Sequence, residues 1–198
     1  PRGLFYYYYS DLWISFFDKL GINYIISPET NGKIKELGRK YSTDEMCLSL
    51  KNYIGHVAYL VDKCDLILIP RIDNYGRYQQ TCTNFLAAYD IVNNLFDADI
   101  LDYNISYTEG ATERKAFIGI GKRLGFSRKE SLIAYNYALV KSHKVMKSKV
   151  CSNVNKLNCN GKKILIVSHP YNTYDSSIGG NVISFLESIG CVVIYSDL

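Results

Sequence analysis

Hydrophobic positions recur along the chain in a way that alternates short strands with helices. A helical spacing carries Leu12, Trp13, Phe16, Phe17 and Leu20, with Ser10 as the expected cap and Gly21 as the stop. Ile22–Ile26 then reads as a short strand closed by Pro28, and residues 31–40 as a polar helix. The Ser42/Glu45 spacing predicts a capping box opening a helix over residues 44–62. Residues 65–69 form a continuous apolar run stopped by Pro70, as expected of a strand buried on both faces. A helix over 84–96 and a strand over 100–105 follow.

From Glu109 the pattern turns helical, over 109–124 and 127–157, the second helix opened by Ser127 and Glu130. Ile164–Ser168 reads as a strand, Ser176–Ile189 as a helix and Val192–Tyr195 as a strand. Strands alternating with helices imply parallel sheets. The expected fold is therefore α/β: a Rossmann-like parallel-sheet domain, a helical segment, and part of a second Rossmann-like unit. The corresponding boundaries are 1–108, 109–160 and 161–198. The sequence opens on Pro1 rather than methionine and stops soon after one strand–helix–strand unit, so a fragment of a longer protein is expected.

Composition narrows the class. Hydrophobic residues make up 47% and charged residues 21%, which fits a folded chain and excludes disorder. The apolar opening, Leu4–Phe17, is broken by Asp11 and too short to span a membrane, and it lacks signal-peptide features. A cytoplasmic location is the expectation. The net charge of +4 conceals a segregation. Residues 111–163 hold 13 basic and 2 acidic side chains, whereas residues 1–110 hold 10 basic and 14 acidic ones. Lys141, Lys144 and Lys147 share a helical neighbourhood within that basic island. The island is a solvated face, a dock for an acidic partner or nucleotide-like phosphates, or a nucleic-acid contact. No nucleic-acid module surrounds it, so the last is not expected.

Six cysteines at scattered spacings in a chain of 198 residues read as intracellular thiols or metal ligands rather than a disulfide scaffold. Cys47 falls at a predicted helix start, where backbone N–H groups favour a thiolate, although Asp44 and Glu45 oppose this. Cys82 precedes another helix, downstream of a strand, on the side where ligands gather in α/β sheets. Cys47 could equally be a small buried hydrophobe, and the 35-residue separation of the two thiols matches no compact Cys-x-x-Cys motif. Cys64 and Cys191 adjoin strands and read as core. Cys151 and Cys159 have no histidine between them to complete a zinc site. His56 lies half a helical turn from Cys47, and so suits packing better than shared ligation. His169 directly follows a strand, at an edge suited to ligands. Arg2 and Arg71 could meet anionic groups near strand ends. No Walker loop, dinucleotide fingerprint, zincin or nucleophile-elbow motif is present.

Several segments together resemble a known family. They are Pro1-Arg2-Gly3-Leu4 with the following tyrosines, Tyr41 to Cys47, Lys51 to Val57, Ile69-Pro70-Arg71, Thr81-Cys82 and Ser168 to Asn172. The family comprises uncharacterised proteins related to the iron–sulfur subunits and activases of 2-hydroxyacyl-CoA dehydratases. The resemblance implies an anaerobic iron–sulfur protein, with a [4Fe–4S] cluster in the full-length form and Cys47 and Cys82 as ligands. His56 and His169 stand at matching positions near that site. It further implies an activator-type ATPase partner, one-electron transfer and a CoA-thioester substrate. Ser49 and Thr83 replace prolines that usually follow the family's cysteines, and Ala87-Ala88-Tyr89-Asp90 replaces a Gly-x-Pro-Asp. Two alternatives stand beside this expectation. One is a non-catalytic domain whose basic helices dock an acidic ATPase partner; the other is a metal-free α/β domain binding a small molecule near His169.

Overall fold

In the computed structural model, which describes residues 1–198, the tyrosine run forms the first turn of helix α1, Tyr6–Leu20. Ser10 therefore lies inside this helix rather than capping it. Leu12, Trp13, Phe16 and Phe17 are buried, and Gly21 ends α1 in the left-handed conformation at φ 68°. The strand expected at Ile22–Ile26 does not form. Ile22 N–H donates to the Phe17 carbonyl, but residues 23–26 make no backbone–backbone hydrogen bond. An extended run becomes a strand only beside a partner edge, and a groove separates this one from its nearest candidate.

Helix α2, Gly32–Tyr41, is capped by the Asn31 side chain, which accepts the Ile34 N–H at 3.2 Å. The Ser42/Glu45 box is not formed. Ser42 instead terminates α2, and helix α3, Leu48–Leu60, starts later with Cys47 as its N-cap. Helices α2 and α3 meet backbone to backbone. A Cβ at Gly55 would overlap the Ile34 carbonyl, and one at Gly38 the Lys51 carbonyl, so both positions require glycine's bare backbone.

Strand β1, Ile67–Asn74, is joined through helix α4, Thr83–Leu95, to strand β2, Ile100–Ser106. The two strands pair in parallel, with Ile67 opposite Ile100 and Ile72 opposite Ile105. Strand β1 runs through Pro70 instead of stopping there. Ile67 N–H donates to the Asp99 carbonyl, so alternation turns residue 70 to the other edge, where its missing N–H costs this ladder nothing. Helix α5, Glu113–Arg123, packs on β2. Helix α6, Arg128–Asn155, opens with the expected Ser127/Glu130 capping box and packs along α1. Phe16, Ile69, Tyr103 and Phe117 are fully buried where these layers meet. The abundant tyrosines enter this core with partners. Tyr9 stacks on Trp13, which meets Tyr103 edge-on, while the Tyr135 hydroxyl donates to Glu113 at 2.8 Å.

Strands β3, Lys163–Ile166, and β4, Val192–Tyr195, form a second parallel sheet of two strands. Between them lie the short helix α7, Pro170–Thr173, a π-type turn at Ser176–Gly180, and helix α8, Asn181–Ser188. The single helix expected over 176–189 is thus divided. Asp175 caps the turn with its carboxylate, and Gly179 passes too close to the Asn172 and Thr173 carbonyls to carry a side chain. Asn153 ties α6 to this sheet, donating to the Tyr195 carbonyl at 2.8 Å and accepting the Tyr195 N–H at 3.0 Å. The chain is α/β, with two small parallel sheets and helices between them. No helix is long and apolar enough to cross a membrane.

Candidate cysteine site

Cys47 and Cys82 occupy equivalent places on different helices. Each is an N-cap, with φ −65° and ψ 151° at Cys47 before α3, and φ −69° and ψ 155° at Cys82 before α4. Neither side chain caps its own helix, and both thiols are free and exposed. Each thus stands at a helix start, where backbone N–H groups lack intrahelical partners and the helix dipole has its positive end.

Helix α7 brings a third segment to the same place. Burial raises the pKa of the Tyr171 hydroxyl. His169 stacks on its ring at 5.0 Å and an 11° interplanar angle, while Phe85, in the first turn of α4, meets it at 5.0 Å. Ser49 Oγ, one residue into α3, donates to Asn172 Oδ1 at 2.7 Å. Segments 47–49, 82–85 and 169–172, far apart in sequence, are thus held together.

No group of three or more His, Cys, Asp or Glu side chains converges anywhere in the chain to hold a metal ion. A cube cluster normally takes four thiolates, and two soft, accessible sulfurs fit one part of that set. The donor chemistry suits a cluster completed by ligands from outside these residues.

His56 occupies a different environment. It is fully buried in α3, with Nε2 at 2.9 Å from Thr30 Oγ1. The Thr30 hydroxyl donates to Asp175 Oδ2 at 2.6 Å, so its oxygen accepts from His56 Nε2–H. That tautomer leaves Nδ1 as a buried acceptor without a partner. Desolvation holds the imidazole down at about 3, helped by the Pro1 amine and opposed by Asp175. His56 is thus a neutral hydrogen-bond donor inside the protein, whereas His169 is exposed and stacks on Tyr171.

The remaining candidates are engaged elsewhere. Arg2 pairs with Glu29 at 3.2 Å, and its backbone N–H donates to Ser27 Oγ at 2.8 Å. Arg71 pairs with Asp90 and lies over the Tyr89 ring. The Cys64 thiol donates to the Leu60 carbonyl at 3.3 Å, and burial raises its pKa. Cys191 is half-buried, and Cys151 and Cys159 are exposed. Thr30 and Asp175 were not legible as a pair, because nothing in sequence links residues 145 positions apart.

The chain matches, over residues 1–198, the family described as CoA enzyme activase uncharacterised domain, DUF2229. It matches no curated protein and no solved structure at a significant level.

Proposed function

The chain belongs to the CoA enzyme activase uncharacterised domain family, and from that premise we propose that it serves as an iron–sulfur, electron-transferring component of an activase-related system. Cys47 and Cys82 are the residues that hold the cluster from this chain, in the frame of a Rossmann-like layer. The observation that carries this reading is the pair of equivalent N-cap thiols whose helix starts α7 draws together, Tyr171 packing on Phe85 and Asn172 bonding Ser49. When bound, a [4Fe–4S] cluster supplies one-electron chemistry at low potential, suited to hard-to-reduce substrates such as acyl-CoA thioesters.

The chain's own groups prepare that place. Both sulfurs stand at helix N-termini, whose dipoles favour a negatively charged bound group. Tyr171, its pKa raised, keeps its proton at neutral pH and can donate it in a hydrogen bond toward sulfur. The Phe85, Tyr171 and His169 rings shield one side from water. Partners of this system include an activator-type ATPase.

The test is anaerobic reconstitution of the protein, within its full-length context, with iron and sulfide. Cluster absorbance should develop and be lost in both Cys47→Ala and Cys82→Ala, while Cys151→Ala keeps it. Absorbance that never develops, or that survives both substitutions, would overturn the assignment.

A second reading rests on α6. Lys141, Lys144 and Lys147 are exposed and take part in no ion pair, whereas Lys149 is paired with Asp11 at 2.7 Å. Exposed Ile133, Tyr137 and Val140 lie near them along the same helix. A surface that is both basic and apolar suits docking of an acidic partner such as the ATPase, independently of cluster binding.

A further inference from the structure

A series of aromatic rings runs from α7 at the cysteine site into the core and ends on α6. Tyr171 meets Phe85, three residues after Cys82, at 5.0 Å between ring centres, and Phe85 meets Phe5 edge-on at 4.8 Å. Tyr9, the last of the tyrosine run, follows Phe5 at 6.2 Å and lies 5.9 Å from Tyr103 of β2. Trp13 gives a parallel step between those two rings, at 5.6 Å from Tyr9 and 5.3 Å from Tyr103. Phe117 of α5 then meets Tyr103 at 5.4 Å and Tyr135 of α6 at 5.0 Å. Edge-on and offset contacts of this kind keep neighbouring π-systems in van der Waals touch, so electronic coupling continues from ring to ring.

The hydroxyl partners along the series differ, and that difference gives it a direction. Oxidants that take one electron from tyrosine or tryptophan leave phenylalanine intact, so Phe85, Phe5 and Phe117 serve only as bridges. Burial raises the pKa of Tyr9, Tyr103 and Tyr135, and each is a protonated phenol at neutral pH. A phenol that loses an electron becomes a strong acid. Inside the protein its proton must pass to a base within hydrogen-bond reach, because an isolated buried charge is costly. Trp13 Nε1 has no partner, and the Tyr9 hydroxyl donates only to another phenol, Tyr75, at 2.7 Å. Glu113 offers the base: the Tyr135 hydroxyl donates to its Oε1 at 2.8 Å, and that of Tyr103 to its Oε2 at 3.4 Å. The shorter bond makes Tyr135 the better place for an oxidised ring to lose its proton.

We infer that these rings carry oxidising equivalents away from the cysteine site and that the electron vacancy comes to rest on Tyr135. A one-electron oxidant of the oxygen-derived radical class takes an electron from Tyr171, which is half-buried, and the phenolic proton leaves to solvent. An electron from Tyr135, relayed through Tyr103 and Tyr9, restores Tyr171, which takes a proton back from water. The Tyr135 proton moves to Glu113 Oε1. In net terms the oxidant gains one electron, Tyr135 becomes a neutral tyrosyl radical, and the Glu113 carboxylate becomes a carboxylic acid. The route uses only groups of this chain and goes beyond cluster binding, which it does not require.

The test attaches a ruthenium tris-bipyridine photo-oxidant to Cys82, with Cys47, Cys151 and Cys159, the other exposed thiols, replaced by serine. A flash with a cobalt(III) ammine as electron acceptor oxidises the label, and EPR of rapidly frozen samples reads the radical that follows. A tyrosyl signal that is lost in Tyr135→Phe is expected. Tyr9→Phe keeps the ring but removes the oxidisable hydroxyl, and should lose most of that signal, leaving the radical on Tyr171. Glu113→Gln keeps the shape but cannot take the proton, and should lose it as well. Tyr107→Phe, exposed and outside the series, should change nothing. Circular dichroism checks that each variant is folded. A radical confined to Tyr171 in the labelled parent would overturn the inference. So would a Tyr135 signal undiminished by Tyr9→Phe or by Glu113→Gln, since the rings would then be core packing alone.

Discussion

Thr30 and Asp175 share a buried hydrogen bond of 2.6 Å that joins the segment before α2 to the turn after α7. The same Thr30 oxygen serves His56, so one hydroxyl links three distant parts of the chain. Removing it leaves the buried imidazole without a partner and Asp175 Oδ2 unsatisfied, while Oδ1 keeps the Ser177 N–H, and unmade buried bonds are the costly side of hydrogen-bond energetics. Thr30→Val should therefore lose about 2–3 kcal/mol of stability in urea unfolding, more than a surface substitution costs. Its effect should be far from additive with Asp175→Asn, as expected of groups in one network.

His56 makes stability depend on pH. Its folded pKa of about 3 lies below the ordinary value of 6.5, so the unfolded chain binds the extra proton between those limits. The contribution is complete above about 6.5 and is lost as pH falls toward 3, with a limiting slope of about 1.4 kcal/mol per pH unit. Between pH 7 and 5, His56→Gln should show a flatter stability profile than the parent chain in denaturant titrations. Parallel profiles would contradict this account.

The contact between α2 and α3 depends on two absent side chains. Gly55→Ala places a methyl group against the Ile34 carbonyl, and that is backbone rather than a movable side-chain tip. Despite alanine's better helix propensity, the substitution should destabilise by about 1–3 kcal/mol, read as a lowered melting temperature. Gly119→Ala in α5, where nothing lies near the added carbon, should not.

Charge reversal of Lys141, Lys144 and Lys147 to glutamate tests the α6 surface. Association with an acidic activator ATPase should weaken at least tenfold and lose most of its salt dependence, measured by titration at several ionic strengths. The α6 fold should persist, since these side chains are exposed and make no ion pair.

Local signals in the sequence determined the elements that depend on local chemistry. Asn31 caps α2, Ser127 and Glu130 form their box, Gly21 ends α1, and the helical repeat selects Trp13 and Phe16 for burial. Cys47 and Cys82 were legible as helix-start thiols on the same basis, although Cys47 serves as the cap itself and the Ser42/Glu45 box is not used. Tertiary structure decided whatever needs a partner from elsewhere in the chain. Ile22–Ile26 has a strand's sequence but no adjacent edge, so it pairs with nothing. Pro70 lies within a strand because its missing N–H faces away from β2. His56, an ordinary helix histidine in the sequence, becomes a neutral buried donor because packing desolvates it and Thr30, itself committed to Asp175, accepts its Nε2–H. Caps and periodicity act over a few residues of one chain segment, whereas edges, networks and shared sites exist only once distant segments have packed.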